Sequence, residues 1–326
     1  MKPSLTGWTP IRFSRVGDQA VVDWCEMGRT RFVDPFFHET VSRALSRPAA
    51  SLFCRQTPVE DLVAAAHAEP GLAPAGFIFH TSRSGSTLIA QMLAASSRHR
   101  VHSEPDPVDE MLRTGYREPV VPGGTRVTWL RSLLSALGRP IENECRYFVK
   151  LDPWHMLDFP IIREAFPDVP WVFSCRDPLE VLVSQARNPG SQFVVGPLPT
   201  WIFGLDLATA ASAAPGLYAA HVLGRILDAA ARYLDDGGLV VDYAELPGAL
   251  DTVLAHFDVR PDDDERAMMH ATAVCDAKRP GQRFMPDTAA KRVEADCGLR
   301  AAAEAVRPAY ERLLAARDRC REVSIR

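Results

Sequence analysis

The chain has 326 residues, 47% hydrophobic and 24% charged, the composition of a globular protein with enough apolar residues for one large core. A formal net charge of −4 with no block of like charges excludes the electrostatic footprint of a nucleic-acid or anionic-membrane binder, which leaves a small molecule, peptide or glycan as partner. No apolar run follows Met1-Lys2-Pro3-Ser4, no eighteen apolar residues run together, and the seven scattered cysteines form no C-x-x-C pair. A cytoplasmic protein with reduced thiols is therefore expected, without signal peptide, membrane span, disulfide framework or structural zinc.

Residues 1–70 begin with short alternating segments, Ile11 to Phe13 and Ala20 to Trp24, around Gly17-Asp18. They read as a hairpin followed by a helix near His38 to Leu45, an N-terminal extension packed on the main domain, residues 71–326. That domain alternates short apolar runs with helical periodicity, as a parallel sheet with crossover helices does. The runs are Gly76 to Phe79, Tyr147 to Leu151, Trp171 to Ser174 and Leu239 to Asp242. Leu88, Ile89, Met92 and Leu93 share one face of a helix that starts near Ser86 or Thr87. Further helices are expected over Met156 to Phe166, Pro178 to Arg187, Gly216 to Leu234, Leu246 to Phe257, Asp262 to Cys275 and Leu299 to Arg319. The segment 188–216 is rich in Pro, Gly and apolar residues and nearly uncharged, the composition of a lid or binding segment rather than a solvated linker.

Two strand ends carry chemistry. After Gly76 to Phe79 comes His80-Thr81-Ser82-Arg83-Ser84-Gly85-Ser86-Thr87. Here Gly85 permits close backbone approach, and the helix start offers N–H groups, hydroxyls and a favourable dipole to an anion. Read alone, the same residues could be a turn and an N-cap. A Walker loop needs Gly-x-x-x-x-Gly-Lys-Ser/Thr; His80 and Ser86 stand where Gly and Lys belong, which disfavours an ATP-using kinase-like phosphotransferase. The second end, Ser174-Cys175-Arg176-Asp177-Pro178, places Arg176 at the carboxyl edge of the sheet and Ser184 a little over two helical turns on. Together they could fork a second phosphate, or Arg176 could simply pair with Asp177 or Glu180 on the surface.

In combination and order, the two segments resemble the sulfotransferase family, over about residues 75–250. Ser82 to Thr87 is similar to the family's 5'-phosphosulfate loop in its arginine form, as in tyrosylprotein and polysaccharide sulfotransferases, and Arg176-Asp177-Pro178 with Ser184 is similar to its 3'-phosphate motif. The resemblance implies a three-layer α/β fold of the P-loop nucleotide-hydrolase type and sulfuryl transfer from 3'-phosphoadenosine 5'-phosphosulfate, with no metal. It implies donor binding by Arg83, Ser84, Gly85, Ser86, Thr87, Arg176, Ser184 and Tyr243. Among the candidate bases near the loop (His80, His102 and Glu104), Ser103-Glu104-Pro105 matches the placement of the tyrosylprotein enzymes' glutamate. Glu104 is thus the expected base, with His102 behind it. Phe148-Val149-Lys150-Leu151-Asp152-Pro153 resembles their Lys-Asp-Pro with Leu151 inserted, which would set Lys150 on the leaving group's bridging oxygen, beside Arg83. Asn188 stands where those enzymes carry a further arginine, leaving Arg187 or the basic Lys278, Arg279 and Arg283 to compensate. A silent nucleotide-binding relative would keep the same fold. The apolar content of 1–70, 105–140 and 188–216 favours a neutral or amphipathic acceptor over a highly sulfated chain.

Overall fold

A computed structural model describes residues 4–47, 54–117, 120–274 and 288–325. Near the N-terminus, β1 (Trp8–Val16) and β2 (Gln19–Glu26) pair antiparallel across Gly17-Asp18, and β3 (Arg55–Pro58) joins the other side of β2. This third strand was not expected, because Arg-Gln-Thr-Pro has no apolar alternation. It is fixed by pairing and by the buried Trp24 indole donating to Thr57 Oγ1 at 3.0 Å. Helices α1 (Phe37–Leu45) and α2 (Val59–Ala68) flank it in sequence.

The central sheet is parallel throughout, in the order β5-β6-β4-β7-β8. Its strands are β4 (Pro74–His80), β5 (His99–Ser103), β6 (Arg146–Lys150), β7 (Trp171–Cys175) and β8 (Gly238–Asp242). Four of them fall on the expected apolar runs. The side chains alternate between two cores, as a strand period of two requires. Phe77, Phe79, Tyr147, Val149, Trp171, Phe173 and Val240 face one core, whereas Ile78, Phe148, Val172 and Val241 face the other. Helix α3 (Ser86–Ala94), α10 (Leu250–His256) and α11 (Asp263–Thr272) fill the second core. The first is filled by α4 (Asp106–Leu112), α5 (Gly123–Leu137), α6 (Phe159–Ala165), α7 (Pro178–Arg187), α9 (Pro215–Tyr233) and α13 (Cys297–Ile325). Helix, sheet and helix make the expected three layers. Each fully buried aromatic or aliphatic side chain contributes about 1.5–3 kcal/mol, which holds the central strand β4 rigidly between two layers.

Several boundaries differ from expectation for local reasons. The helix expected from Met156 begins at Phe159, because Asp152 caps a preceding 3-10 turn (Pro153–Asp158). Likewise, Asp242 caps a short turn at Tyr243–Glu245, and the helix expected from Leu246 starts only at Leu250. Segment 188–216 contains two 3-10 turns and α8 (Leu207–Ser212), with Phe193, Leu198 and Phe203 buried in the first core. Among the described residues no helix is long and apolar enough to cross a membrane.

Candidate active site

The loop from β4 to α3 lies at the carboxyl end of the central strand, the edge where open α/β sheets bind ligands. Its backbone is held from below: the Thr81 N–H donates to Ser174 O at 3.1 Å, and Ser174 Oγ donates to Ser84 O at 2.6 Å. Ser82, Arg83 and Gly85 take left-handed φ values of 67°, 54° and 87°. For Ser82 and Arg83 such backbone costs of order 1–3 kcal/mol each and persists only where the surroundings enforce it. Gly85 has a second constraint, since a Cβ there would meet Leu246 Cδ1 at 2.4 Å and Tyr243 Cδ2 at 3.1 Å. It is also the N-cap of α3, with no side chain capping the helix. The first N–H groups of α3 are thereby left for an anion, with the helix dipole behind them. Ser84 Oγ and Thr81 Oγ1 are buried without a hydrogen-bond partner among the described residues, and Ser86 and Thr87 are buried at the helix start. Arg83 donates to Asn188 O at 3.2 Å across the mouth of the loop.

Beside this loop, Arg176 leaves the end of β7 only 4% exposed. It stacks on the Tyr243 ring, 3.8 Å from its centroid, so the two expected nucleotide contacts touch each other. Its Nε donates to Glu180 Oε2 at 2.7 Å and its other nitrogens reach Arg83 O and Thr288 Oγ1. The Arg176–Glu180 pair is therefore real but buried, not the surface pair that spacing alone suggested. Ser184 Oγ donates to Glu180 O at 2.9 Å, one helical turn back. Arg292, on α12 (Thr288–Glu294), lies 3.4 Å from Glu180 Oε1, so two cations flank one carboxylate. Thr288 and Arg292 carry no motif that sequence reasoning could have used. Arg187 is tied to Glu294, with Nε to Oε1 at 2.7 Å. Lys278, Arg279 and Arg283 lie outside the described residues.

Two strands away, Glu104 follows β5 with φ 52° and its N–H donates to Lys150 O at 2.6 Å. Parallel register brings Ser103 opposite Lys150, so the carboxylate and the ammonium leave adjacent strand ends. Glu104 Oε1 is ion-paired with Lys150 Nζ and lies 3.2 Å from His80 Nε2. Lys150 is completely buried and sits 5.2 Å above the Phe36 ring. Burial works against the Glu104 carboxylate, but Lys150 and His80 outweigh it and hold its pKa below the ordinary carboxylate range. His80 Nδ1 accepts the Ser82 N–H at 2.9 Å. That bond places the imidazole proton on Nε2, toward Glu104, and His80 thus links the anion loop to the carboxylate.

His102 stands elsewhere. It is fully buried, edge-on to Phe32 and Phe37, with Nδ1 3.1 Å from the Tyr147 hydroxyl. Burial, reinforced by Arg100, drives its pKa well below the usual histidine value, the state of a core residue. Asp109, Asp152 and His155 bring ligand-type atoms within 4.8 Å of one another. Their atoms are engaged internally: His155 Nε2 with Asp109 Oδ1 at 3.0 Å, His155 Nδ1 with the Asp152 N–H at 3.2 Å, and Asp109 also with Trp154 and Arg113. Asp152 is pushed well above the usual carboxylate pKa by burial and then by the Glu104 charge.

No family model matches the chain, and no curated protein matches it. Three solved structures are similar to it at 15% identity. Sulfotransferase STF9 from Mycobacterium avium has a TM-score of 0.49 over 78% of this chain and 80% of its own. A sulfotransferase from Alicyclobacillus acidocaldarius has a TM-score of 0.47 over 76% of this chain and 96% of its own. Sulfotransferase STF1 from Mycobacterium tuberculosis has a TM-score of 0.44 over 83% and 82%.

Proposed function

We propose that the chain is a sulfotransferase that uses 3'-phosphoadenosine 5'-phosphosulfate, with the β4–α3 loop and Arg83 on the phosphosulfate and Arg176, Ser184 and Tyr243 on the rest of the nucleotide. One observation carries the reading: at this sheet edge the non-glycine residues with left-handed backbone are Arg83 and Glu104, assigned to donor and base, and Ser82, which precedes Arg83 in the loop. Strain of that kind gathers where function enforces it.

In the reaction, the acceptor oxygen or nitrogen attacks sulfur, a new bond to sulfur forms, and the bond from sulfur to the bridging oxygen breaks. Adenosine 3',5'-bisphosphate leaves with the electron pair, and the acceptor proton passes to Glu104. Positioning and charge stabilisation supply most of the acceleration in such transfers. Lys150 donates to the bridging oxygen, and Arg83 with the loop N–H groups holds the sulfuryl oxygens. In the free protein Glu104 is a weak base because Lys150 neutralises it. When Lys150 turns to the bridging oxygen, one of the two groups that hold the carboxylate ionised is withdrawn and burial counts for more against His80, which raises the basicity of Glu104, so donor binding readies the base. The test is protection from thermal unfolding by adenosine 3',5'-bisphosphate, together with transfer of labelled sulfate from the donor to hydroxyl compounds. Protection by ATP and magnesium instead would overturn the reading in favour of a phosphotransferase.

A further inference from the structure

A cavity of about 620 Å³ lies between α7, the segment after it, and α8–α9, within the roughly 300–1,000 Å³ typical of small-molecule sites. Its walls include Leu182, Phe193, Ala211 and Leu299, with Gln185 and Tyr218 as polar members. Tyr218 is 2% exposed and its hydroxyl has no hydrogen-bond partner among the described residues. A buried, unmatched hydroxyl is destabilising, and a bound molecule with an oxygen opposite it would remove that cost. Gln185 joins the cavity to the loop, since its Nε2 donates to Ser82 Oγ at 3.1 Å and its Oε1 accepts the Gly190 N–H at 2.7 Å. Pro189, on the rim, follows Asn188, whose carbonyl binds Arg83.

From this we infer that the cavity holds the apolar body of an amphipathic hydroxyl acceptor, with the reacting hydroxyl at the Gln185 end and an ether- or carbonyl-type oxygen opposite Tyr218. The inference rests on the sulfotransferase reading for the word acceptor and on the cavity alone for the class of ligand. Among the described residues the walls offer no charged side chain, and their apolar character suits an amphipathic acceptor rather than an acidic peptide or sulfated glycan.

The experiment measures binding of 4-alkylphenols of increasing chain length by calorimetry on the whole protein, with adenosine 3',5'-bisphosphate binding measured alongside. Affinity should rise about fourfold per added methylene in the wild type. Ala211→Trp, at an exposed rim position, should flatten that rise while leaving bisphosphate affinity unchanged. An alkoxyphenol should bind more tightly than the alkylphenol of equal length, and Tyr218→Phe should abolish that margin. Equal slopes in wild type and Ala211→Trp, or no rise with chain length, overturn the inference. A rise with chain length in a protein that does not bind the bisphosphate upholds the cavity and overturns the donor reading.

Discussion

The two sheets of this molecule handle positive φ in opposite ways. Around the three-stranded antiparallel sheet the turns that need it use glycine, at Gly7, Gly17 and Gly28, which costs no steric strain. At the carboxyl edge of the five-stranded parallel sheet, Ser82, Arg83 and Glu104 adopt it with full side chains beside Gly85. The other described residues of this kind, Glu142 and Asp258, lie in exposed turns. On the proposed reading, one sheet avoids backbone strain and the other tolerates it to aim particular side chains. The segment after β2 still reaches the site, with Phe36 under Lys150.

That division is broken most directly at Glu104. On the proposed reading Glu104→Gln keeps the shape and removes the base, so sulfate transfer should fall by about 10²–10⁴-fold, while bisphosphate affinity by calorimetry stays at the wild-type value. An unchanged transfer rate would detach Glu104 from the chemistry. Lys150→Met tests the neighbour through pH. In the wild type Lys150 and His80 hold Glu104 below the ordinary range, so its ionised form persists to low pH and kcat/KM shows no acid limb from it near neutrality. Without the ammonium only His80 opposes burial and the carboxyl pKa rises, so the acid limb should move up by about one pH unit. Transfer should also weaken for lack of a donor to the bridging oxygen.

Arg176 is a smaller but cleaner lever on the donor. Losing a charge-assisted contact of about 1.5–3 kcal/mol should weaken adenosine 3',5'-bisphosphate binding roughly 10–150-fold. Because Arg176→Ala also takes from the buried Glu180 its closest cation, leaving it Arg292 and Thr288, the double variant with Glu180→Gln separates folding from binding. It should regain thermal stability and still bind the bisphosphate poorly. Recovery of affinity in the double variant would move the 3'-phosphate away from Arg176.

The parallel sheet was legible because its strands are short, apolar and bounded by turns, a pattern set by burial on both faces. The loop Ser82 to Thr87 and the Arg176 position were legible because each follows such a strand. Neighbourhood across strands was not: that Glu104 meets Lys150 depends on β5 pairing with β6, and no local pattern states which strands are adjacent. The same holds for His80, whose role comes from one bond to Ser82 and one approach to Glu104. Glu180 read as a surface partner because helix periodicity does not reveal that α12 covers it with Thr288 and Arg292. Strand β3 escaped notice since it owes its place to β2 rather than to its own four residues.

Gly85 and Gly17 carry left-handed backbone beside the two sheets under different constraints. Gly85→Ala meets both a forbidding φ of 87° and the Leu246 and Tyr243 side chains, so it should cost more than backbone strain alone and lower donor affinity as the loop shifts. Gly17→Ala meets only the φ, 63°, with nothing within 4 Å of the added Cβ. Its expected cost is therefore the bare left-handed penalty, about 1–2 kcal/mol, read as a lower urea midpoint with an unchanged slope. The β1–β2 turn supplies no residue to the loop, to Arg176 or to Glu104, so sulfate transfer and bisphosphate affinity below the unfolding transition should match the wild type. Should Gly17→Ala instead lose transfer while its urea midpoint holds, the antiparallel sheet would belong to the active site, and strain at Ser82, Arg83 and Glu104 would no longer mark where the chemistry sits.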